Sequence, residues 1–166
     1  PILIKIFFGS IFIILLIALA ILDLKYFWLP QALTLLGIFL GLISSFLIDL
    51  FSNIDQFSNS INSLVAASLG FIIFYLLSHI GKFFFNKPVM GGGDAKLSAL
   101  IGSWLGIQGL FISIWLAFIS AGIFIILGLI LNKIKRNQKI PFGVFLSLSG
   151  LAVWYFGNEI FLKLIF

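Results

Sequence analysis

Cysteine is absent from the chain, which excludes disulfides, thiolate metal sites and a cysteine nucleophile. Histidine occurs once, at His79, and a lone imidazole builds no metal site without several oxygen ligands around it. Charge is scarce as well. Asp, Glu, Lys and Arg make up 9% of the 166 residues, against about 25% in an ordinary soluble domain. So few polar groups cannot cover the surface of a soluble protein, which excludes a soluble enzyme and a disordered chain. The net charge of +5 would suit nucleic acid only if a basic stripe lay on a soluble scaffold, and there is none.

What is abundant is apolar: 62% of the residues are hydrophobic and 21 are Phe. The solvent this composition fits is a bilayer, where a span takes about 20 apolar residues. Six runs qualify as helices: Ile2 to Leu22, Leu33 to Ile48, Ile61 to Phe84, Leu97 to Ile107, Leu110 to Leu131 and Phe142 to Phe166. The fourth is too short to cross unaided. The first is too long for a signal-peptide core and has no small-residue cleavage site after it. The chain starts at Pro1, as a trimmed or partial sequence does. Connections are short, with no internal repeat and no low-complexity linker. The expectation is one all-α domain over 1–166, a polytopic transmembrane bundle of about six antiparallel helices.

Cytoplasmic loops keep an excess of Lys and Arg. Lys25 follows the first run; Lys82, Lys87 and Lys96 surround the third connection; Lys133, Lys135, Arg136 and Lys139 fill the fifth. Six spans put these three connections on one side, which is therefore assigned to the cytoplasm. The opposite side receives the stretch Asp49 to Ser60, which has two acids and no base, and it receives Pro1.

A carboxylate in a membrane chain is costly and marks a site unless something else accounts for it. Asp49, Asp55 and Glu159 fall on the outer side, where a solvated loop or helix-end charge accounts for them. Asp23 and Asp94 fall on the cytoplasmic side, at the membrane boundary of separate spans. Two carboxylates brought together share one proton, because like charges close by do not both ionise. The protonated one then polarises a carbonyl while the ionised one activates water, which is peptide hydrolysis without metal or cofactor. Each has a structural alternative. Asp94 stands before the helical run Ala95 to Leu105 and suits an N-cap; Asp23 suits a helix end beside Lys25. Gly91, Gly92 and Gly93 shift the balance at Asp94. Three glycines at a membrane-edge turn cost conformational entropy and let another backbone come close to Asp94, which capping alone does not require.

The stretch Met90-Gly91-Gly92-Gly93-Asp94-Ala95-Lys96-Leu97 resembles the GxGD motif of the type IV prepilin peptidases, bacterial membrane aspartic proteases. Asp23 through Thr34, with Pro30 seven residues after Asp23 and Leu33-Thr34 at its end, resembles their other signature. Ile140-Pro141-Phe142-Gly143 resembles a further recurrent segment before the last span. The resemblance covers nearly the whole chain in order. It departs at Gln31, where the family often has Asp or Asn, and at Val144, where Pro is common.

The resemblance implies an aspartic endopeptidase of the bacterial inner membrane. Its Asp23 and Asp94 would remove the basic leader from a prepilin or pseudopilin, itself a membrane helix, at the cytoplasmic face. That side is the one the charge pattern assigns. Many members add a cysteine-containing N-terminal domain and N-methylate the product; this chain has no cysteine, so the expectation is peptidase alone. No cofactor, metal or nucleic acid is expected. The partners are the substrate helix and the lipid.

Gly91, Gly92, Gly93, Lys96 and Pro30 are supporting candidates. Lys96 either stabilises the ionised pair, meets an acidic group of the substrate, or anchors the helix in the cytoplasm. Pro30 starts or bends the second helix, and Pro88 stops the third. Trp28, Trp104, Trp115 and Trp154 are lipid-facing by default. Gly102, Gly106 and Gly109 allow close helix contact. A channel, transporter subunit or assembly factor is the non-enzymatic alternative, and it expects mid-span acids or the two Asp on opposite faces. A presenilin-like intramembrane protease is the enzymatic rival; it usually pairs GxGD with a Tyr-Asp, whereas Leu22 precedes Asp23.

Overall fold

The structure, a computed structural model, describes residues 2–52, 58–85, 91–132, 140–158 and 160–161. Asp55, Lys87, Pro88, Met90, Lys133, Lys135, Arg136, Lys139 and Glu159 lie outside the described residues. Five helices are present among those described: α1 (Ile2–Tyr26), α2 (Gln31–Ser52), α3 (Ser58–Phe85), α4 (Gly92–Ile130) and α5 (Phe142–Phe156). The first four are long and apolar enough to cross a membrane. The chain is thus an all-helical membrane bundle.

Helix α4 spans 39 residues, which a straight helix would stretch to about 58 Å, nearly twice the roughly 30 Å of a bilayer core. It does not run straight. Gly106 has φ 68° and ψ −173°, a conformation that only glycine enters freely. The contacts on either side of it show a hairpin. Along the first arm, residues 92–105, a Cβ on Gly70 would press on the Ser98 carbonyl and one on Gly102 on the Ala66 carbonyl. This arm therefore descends as α3 ascends. Beyond the break the order reverses: Ile107 donates its N–H to Asn62 Oδ1 at 3.2 Å, and Phe118 stacks on Phe74. Residues 107–130 therefore run alongside α3 in the same direction. With its two arms counted separately, α1 to α5 make six helical segments among the described residues, about the number the hydropathy runs suggest, and the short fourth run is the descending arm. At 14 residues that arm covers only about 21 Å.

The same logic of contacts sets the other helices. A Cβ on Gly37 would meet Leu100 and one on Gly41 would meet Trp104, so α2 is parallel to the descending arm. Gly9 opposes Trp154 and Gly143 opposes Asp23, so α1 and α5 are antiparallel. The core they enclose includes Phe12, Leu16, Leu19, Phe74, Leu97, Leu100, Ile101 and Leu146. Most of the remaining apolar surface faces outward, as a bilayer solvent requires.

Helix ends and positions differ from the sequence reading in instructive ways. The second span is longer than its apolar run, gaining residues 31–32 and 49–52; near its start Thr34 is fully buried and returns its N–H and hydroxyl to the Pro30 and Gln31 carbonyls. Pro30 starts the helix rather than bending it. The last run, interrupted in sequence by Asn158, Glu159 and Lys163, breaks one residue before the first of these, at Gly157, φ 78°. Trp104 is not lipid-facing. Its indole N–H donates to the Gly37 carbonyl at 2.9 Å and its ring stacks on Phe12, centroids 4.9 Å apart, so the small residues of α2 give it a slot in the bundle. Trp28 and Trp115 remain exposed.

Several buried polar groups are closed by contacts between helices. Ser98 donates across to the Gly70 carbonyl at 2.7 Å, and Ser45 and Ser63 share a hydrogen bond of 2.7 Å between α2 and α3. In hydrocarbon no water is available to do this.

Candidate active site

At one end of the bundle converge the end of α1, the start of α2, and the first turns of α4 and α5. Asp23 lies in the last turns of α1, which continues to Tyr26. It is thus inside the helix, 6% exposed, rather than a solvated helix end. One carboxylate oxygen accepts the Val144 N–H at 3.2 Å and is within hydrogen-bond reach of the Gly143 amide. Both amides belong to the first turn of α5, where backbone N–H groups have no partner inside the helix. The helix dipole adds to the attraction for an anion there.

The approach depends on Gly143. A Cβ at that position would stand 2.7 Å from the Asp23 oxygen and 3.0 Å from its carboxyl carbon. Val144 and Gly143 had no assigned role in the sequence, although the segment Ile140 to Gly143 already stood out by resemblance. That segment was the available signal for them.

Asp94 sits in the first turn of α4, 9% exposed. It is not the N-cap; Gly91 is, with an extended backbone. Asp94 is the third helical residue, and its N–H donates to the Gly91 carbonyl at 3.1 Å. Its carboxylate reaches back to the Gly91 N–H, the half of a capping box that the third helical residue supplies. The helix therefore starts earlier than the apolar run suggests, and Gly92 and Gly93 form its first turn rather than a loop. Only Gly93 faces a tight contact: a Cβ there would lie 3.0 Å from that of Leu29, while Gly92 has nothing within 4 Å. The neighbour at the glycine turn is therefore the Leu29 side chain of the α1–α2 connection, not the second backbone that the three glycines suggest.

Asp23 and Asp94 are brought together. The Asp23 charge acts on Asp94, although the two residues are 71 positions apart in the chain. Three rings close one flank: Phe142 lies 5.9 Å from Phe74 and 5.1 Å from Phe118 between centroids. Beyond this level α3 continues to Phe85 and α4 to Ile130, roughly 15 Å further at 1.5 Å per residue, whereas α1 ends at Tyr26. The pair lies on the floor of a step in the bundle. Lys25 and Lys82 are exposed. Lys96 is half-buried and makes no ion pair with either carboxylate. His79 stacks on Tyr75 at 4.2 Å and stays exposed. Among the described residues no group of three His, Asp or Glu side chains is placed to hold a metal.

Asp49 is a helix-end charge, in the last turn of α2. It is not a solvated charge; it is 8% exposed. Its carboxylate accepts the Asn59 side-chain amide at 2.8 Å, the Asn59 N–H at 3.3 Å, the Ser60 N–H at 2.7 Å and the Ser60 hydroxyl. It caps α3 from the end of α2, at the opposite end of the bundle. A polar connection reads as wet in sequence, but the orphan amides of the next helix draw the charge inward.

Comparison with known proteins adds relatives to this geometry. No solved structure matches the chain. The prepilin leader peptidase/N-methyltransferase of Legionella pneumophila is 35% identical over 158 residues, 95% of this chain and 52% of that protein. Proteins of the same description from Aeromonas hydrophila and Pseudomonas aeruginosa are 34% and 30% identical, each over 87% of this chain and 48% of their own length. The chain spans about half the length of the curated relatives it matches. Residues 10–127 match the model of the type IV leader peptidase family, a stretch that holds both Asp23 and Asp94, and the chain belongs to that family.

Proposed function

We propose that the chain is an aspartic endopeptidase that removes the leader of a type IV prepilin or pseudopilin, with Asp23 and Asp94 as the catalytic pair. The observation that carries this reading is two buried carboxylates from separate helices, meeting at one end of a membrane bundle. Family membership supports peptidase chemistry and a prepilin substrate. The Lys-rich connections of the sequence support the cytoplasmic face of a bacterial inner membrane as the place of cleavage.

The chemistry follows from the pair. Two carboxylates in a poorly hydrated site hold one proton between them. The ionised member takes a proton from a water as its oxygen attacks the scissile carbonyl carbon. The protonated member donates a hydrogen bond to the carbonyl oxygen, where negative charge develops. Collapse of the tetrahedral species breaks the C–N bond, and a carboxyl proton passes to the departing amine. The two acids end as they began, so no cofactor is consumed. Methyl transfer, which the names of the longer relatives include, is not assigned to these 166 residues.

Asp23 is the better candidate for the ionised member, because the first-turn amides of α5 favour the anion. The channel alternative expects the two acids on opposite faces; the placement of both at one end of the bundle, with the Asp23 charge acting on Asp94, supports the peptidase reading instead. The test is co-expression with a candidate prepilin and a gel shift on leader removal. Asp23→Asn and Asp94→Asn should each abolish the shift while the protein still accumulates in the membrane. Normal cleavage by either variant overturns the assignment.

A further inference from the structure

We propose that Leu29 is a positioning residue for the Asp23–Asp94 pair, a spacer whose side chain sets the gap between the first turns of α4 and α5. This rests on the reading of the pair given above.

The connection between α1 and α2 is four residues long, 27–30. Phe27 and Trp28 are exposed at 55% and 64%, whereas Leu29 is 7% exposed and belongs to the main hydrophobic core with Ala95, Leu97 and Leu146. A loop residue in the core of a bundle needs a reason. Its neighbours supply one. A Cβ on Gly93 would lie 3.0 Å from the Leu29 Cβ and 3.1 Å from its Cδ1; a Cβ on Gly143 would lie 3.3 Å from the same Cδ1. Leu29 therefore touches the residue before Asp94 on one side. On the other it touches the glycine that lies against the Asp23 carboxylate. It separates the two helix starts that carry or hold the two acids.

The backbone that delivers it is also tied to the pair. Phe27 has φ 52°, a left-handed conformation that a bulky residue rarely adopts. Its N–H donates to the Asp23 carbonyl at 2.9 Å. The turn that swings Leu29 inward thus begins on Asp23 itself. Strained backbone of this kind persists where the surroundings over-determine it, and it concentrates at functional sites. Glycine at 93 and 143 removes the two Cβ atoms that would compete for the space, so leucine volume fixes the separation. A smaller side chain lets the helix starts approach, and a bulkier one drives them apart.

The absence of cysteine permits a direct reading of the gap. In the full chain, Asp23→Cys with Asp94→Cys provides the sole thiol pair, and bifunctional thiol reagents of graded length report the separation by gel mobility. Adding Leu29→Ala should shift the best-reacting reagent to a shorter one, and Leu29→Ile, equal in volume, should leave it in place. With both Asp restored, Leu29→Ala should lower kcat for a candidate prepilin by about 10- to 100-fold, with KM changed less than about twofold, since a misplacement of 1 Å costs on that order. Gly93→Ala should lower kcat similarly. The double variant Gly93→Ala/Leu29→Ala should recover part of the loss, because one methyl takes the space the other side chain vacates.

An unchanged reagent preference in the Leu29→Ala thiol pair overturns the spacer, as does an additive loss in the double variant. If Leu29→Ala fails to accumulate, Leu29→Val tests the same shift with less volume removed. The thiol ladder does not depend on cleavage. If the ladder shifts and the unaltered chain leaves prepilin uncut, the catalytic reading fails and the spacer stands.

Discussion

Three described carboxylates lie in this bundle, and burial does not distinguish them: Asp23, Asp49 and Asp94 are 6%, 8% and 9% exposed. Each is also bound to a helix N-terminus. What separates them is how completely they are satisfied. Asp49 accepts four hydrogen bonds, two from backbone and two from side chains. It has no carboxylate neighbour among the described residues. Asp23 has amides of α5 only, and Asp94 has the amide of its own cap with the Asp23 charge acting on it. The same device, an acid on a first turn, thus serves as structure at one end of the bundle and leaves spare acceptor capacity at the other. Spare capacity next to a like charge is what a water-activating pair needs, and it is what a structural cap avoids.

The comparison breaks most sharply on activity. Asn keeps the size of Asp and removes its charge. Asp94→Asn is expected to reduce leader cleavage to background, whereas Asp49→Asn is expected to leave the initial rate within about twofold, since distant structural changes act mainly through stability. Both are checked with one gel-shift assay on membranes carrying matched amounts of protein. If Asp49→Asn abolishes cleavage at normal abundance, the division into one structural and two catalytic acids fails.

Gly143→Ala comes next. The added methyl would stand 2.7 Å from the Asp23 oxygen, closer than real Cβ atoms come, and the contact is on the acid itself. Either the carboxylate or the first turn of α5 has to move. We expect kcat to fall on the order of 100-fold, the usual scale for a misplacement near 1 Å. Wild-type kcat in this variant would mean that Asp23 does not depend on the α5 amides.

Much of this was legible in the sequence, for physical reasons that can be named. Apolar runs at the length of a bilayer reported the spans, including the two arms of α4. Gly91 to Asp94 and the segment from Asp23 to Thr34 singled out two acids that the fold places at one end of the bundle. Three features were not legible. Asp49 looked solvated because its chain neighbours are polar; its burial depends on donors from Asn59 and Ser60 across a helix connection. Leu29 sits among exposed aromatics, and no periodicity marks a single inward residue in a four-residue loop. Trp104 was assigned to lipid by type, and only the packing of α2 against α4 reveals its slot at Gly37. Each miss is a contact between elements, which local pattern does not encode.

Stability sharpens the comparison with an opposite sign. Asp49→Asn converts one accepting oxygen into a donor that faces N–H groups, so it should lower stability by about 1–2 kcal/mol, the usual cost of losing a cap. Asp23→Asn removes one of two like charges, so it should raise stability by up to about 1 kcal/mol, the trade that strained functional sites commonly show. Unfolding by SDS in mixed micelles reads both. Equal destabilisation by the two substitutions would mean that the acids at the two ends are satisfied alike.

The smallest expected effect concerns Ser147, one turn beyond Gly143 on the same face of α5. It is fully buried, and its hydroxyl has no hydrogen-bond partner among the described residues. Other buried serines of this bundle return theirs to a carbonyl, as Ser98, Ser103 and Ser113 do. Burying a hydroxyl unpaired costs roughly 1 kcal/mol or more, so Ser147→Ala should be neutral or stabilising by about that amount, with cleavage unchanged. A loss of stability of the same size instead would show that the hydroxyl has a partner in the membrane. The remaining partner of suitable size is a water held one helical turn from Asp23. The end of the bundle with the incompletely satisfied acids would then also be the hydrated end. The contrast with Asp49, satisfied by protein groups alone, would extend from hydrogen bonds to solvent.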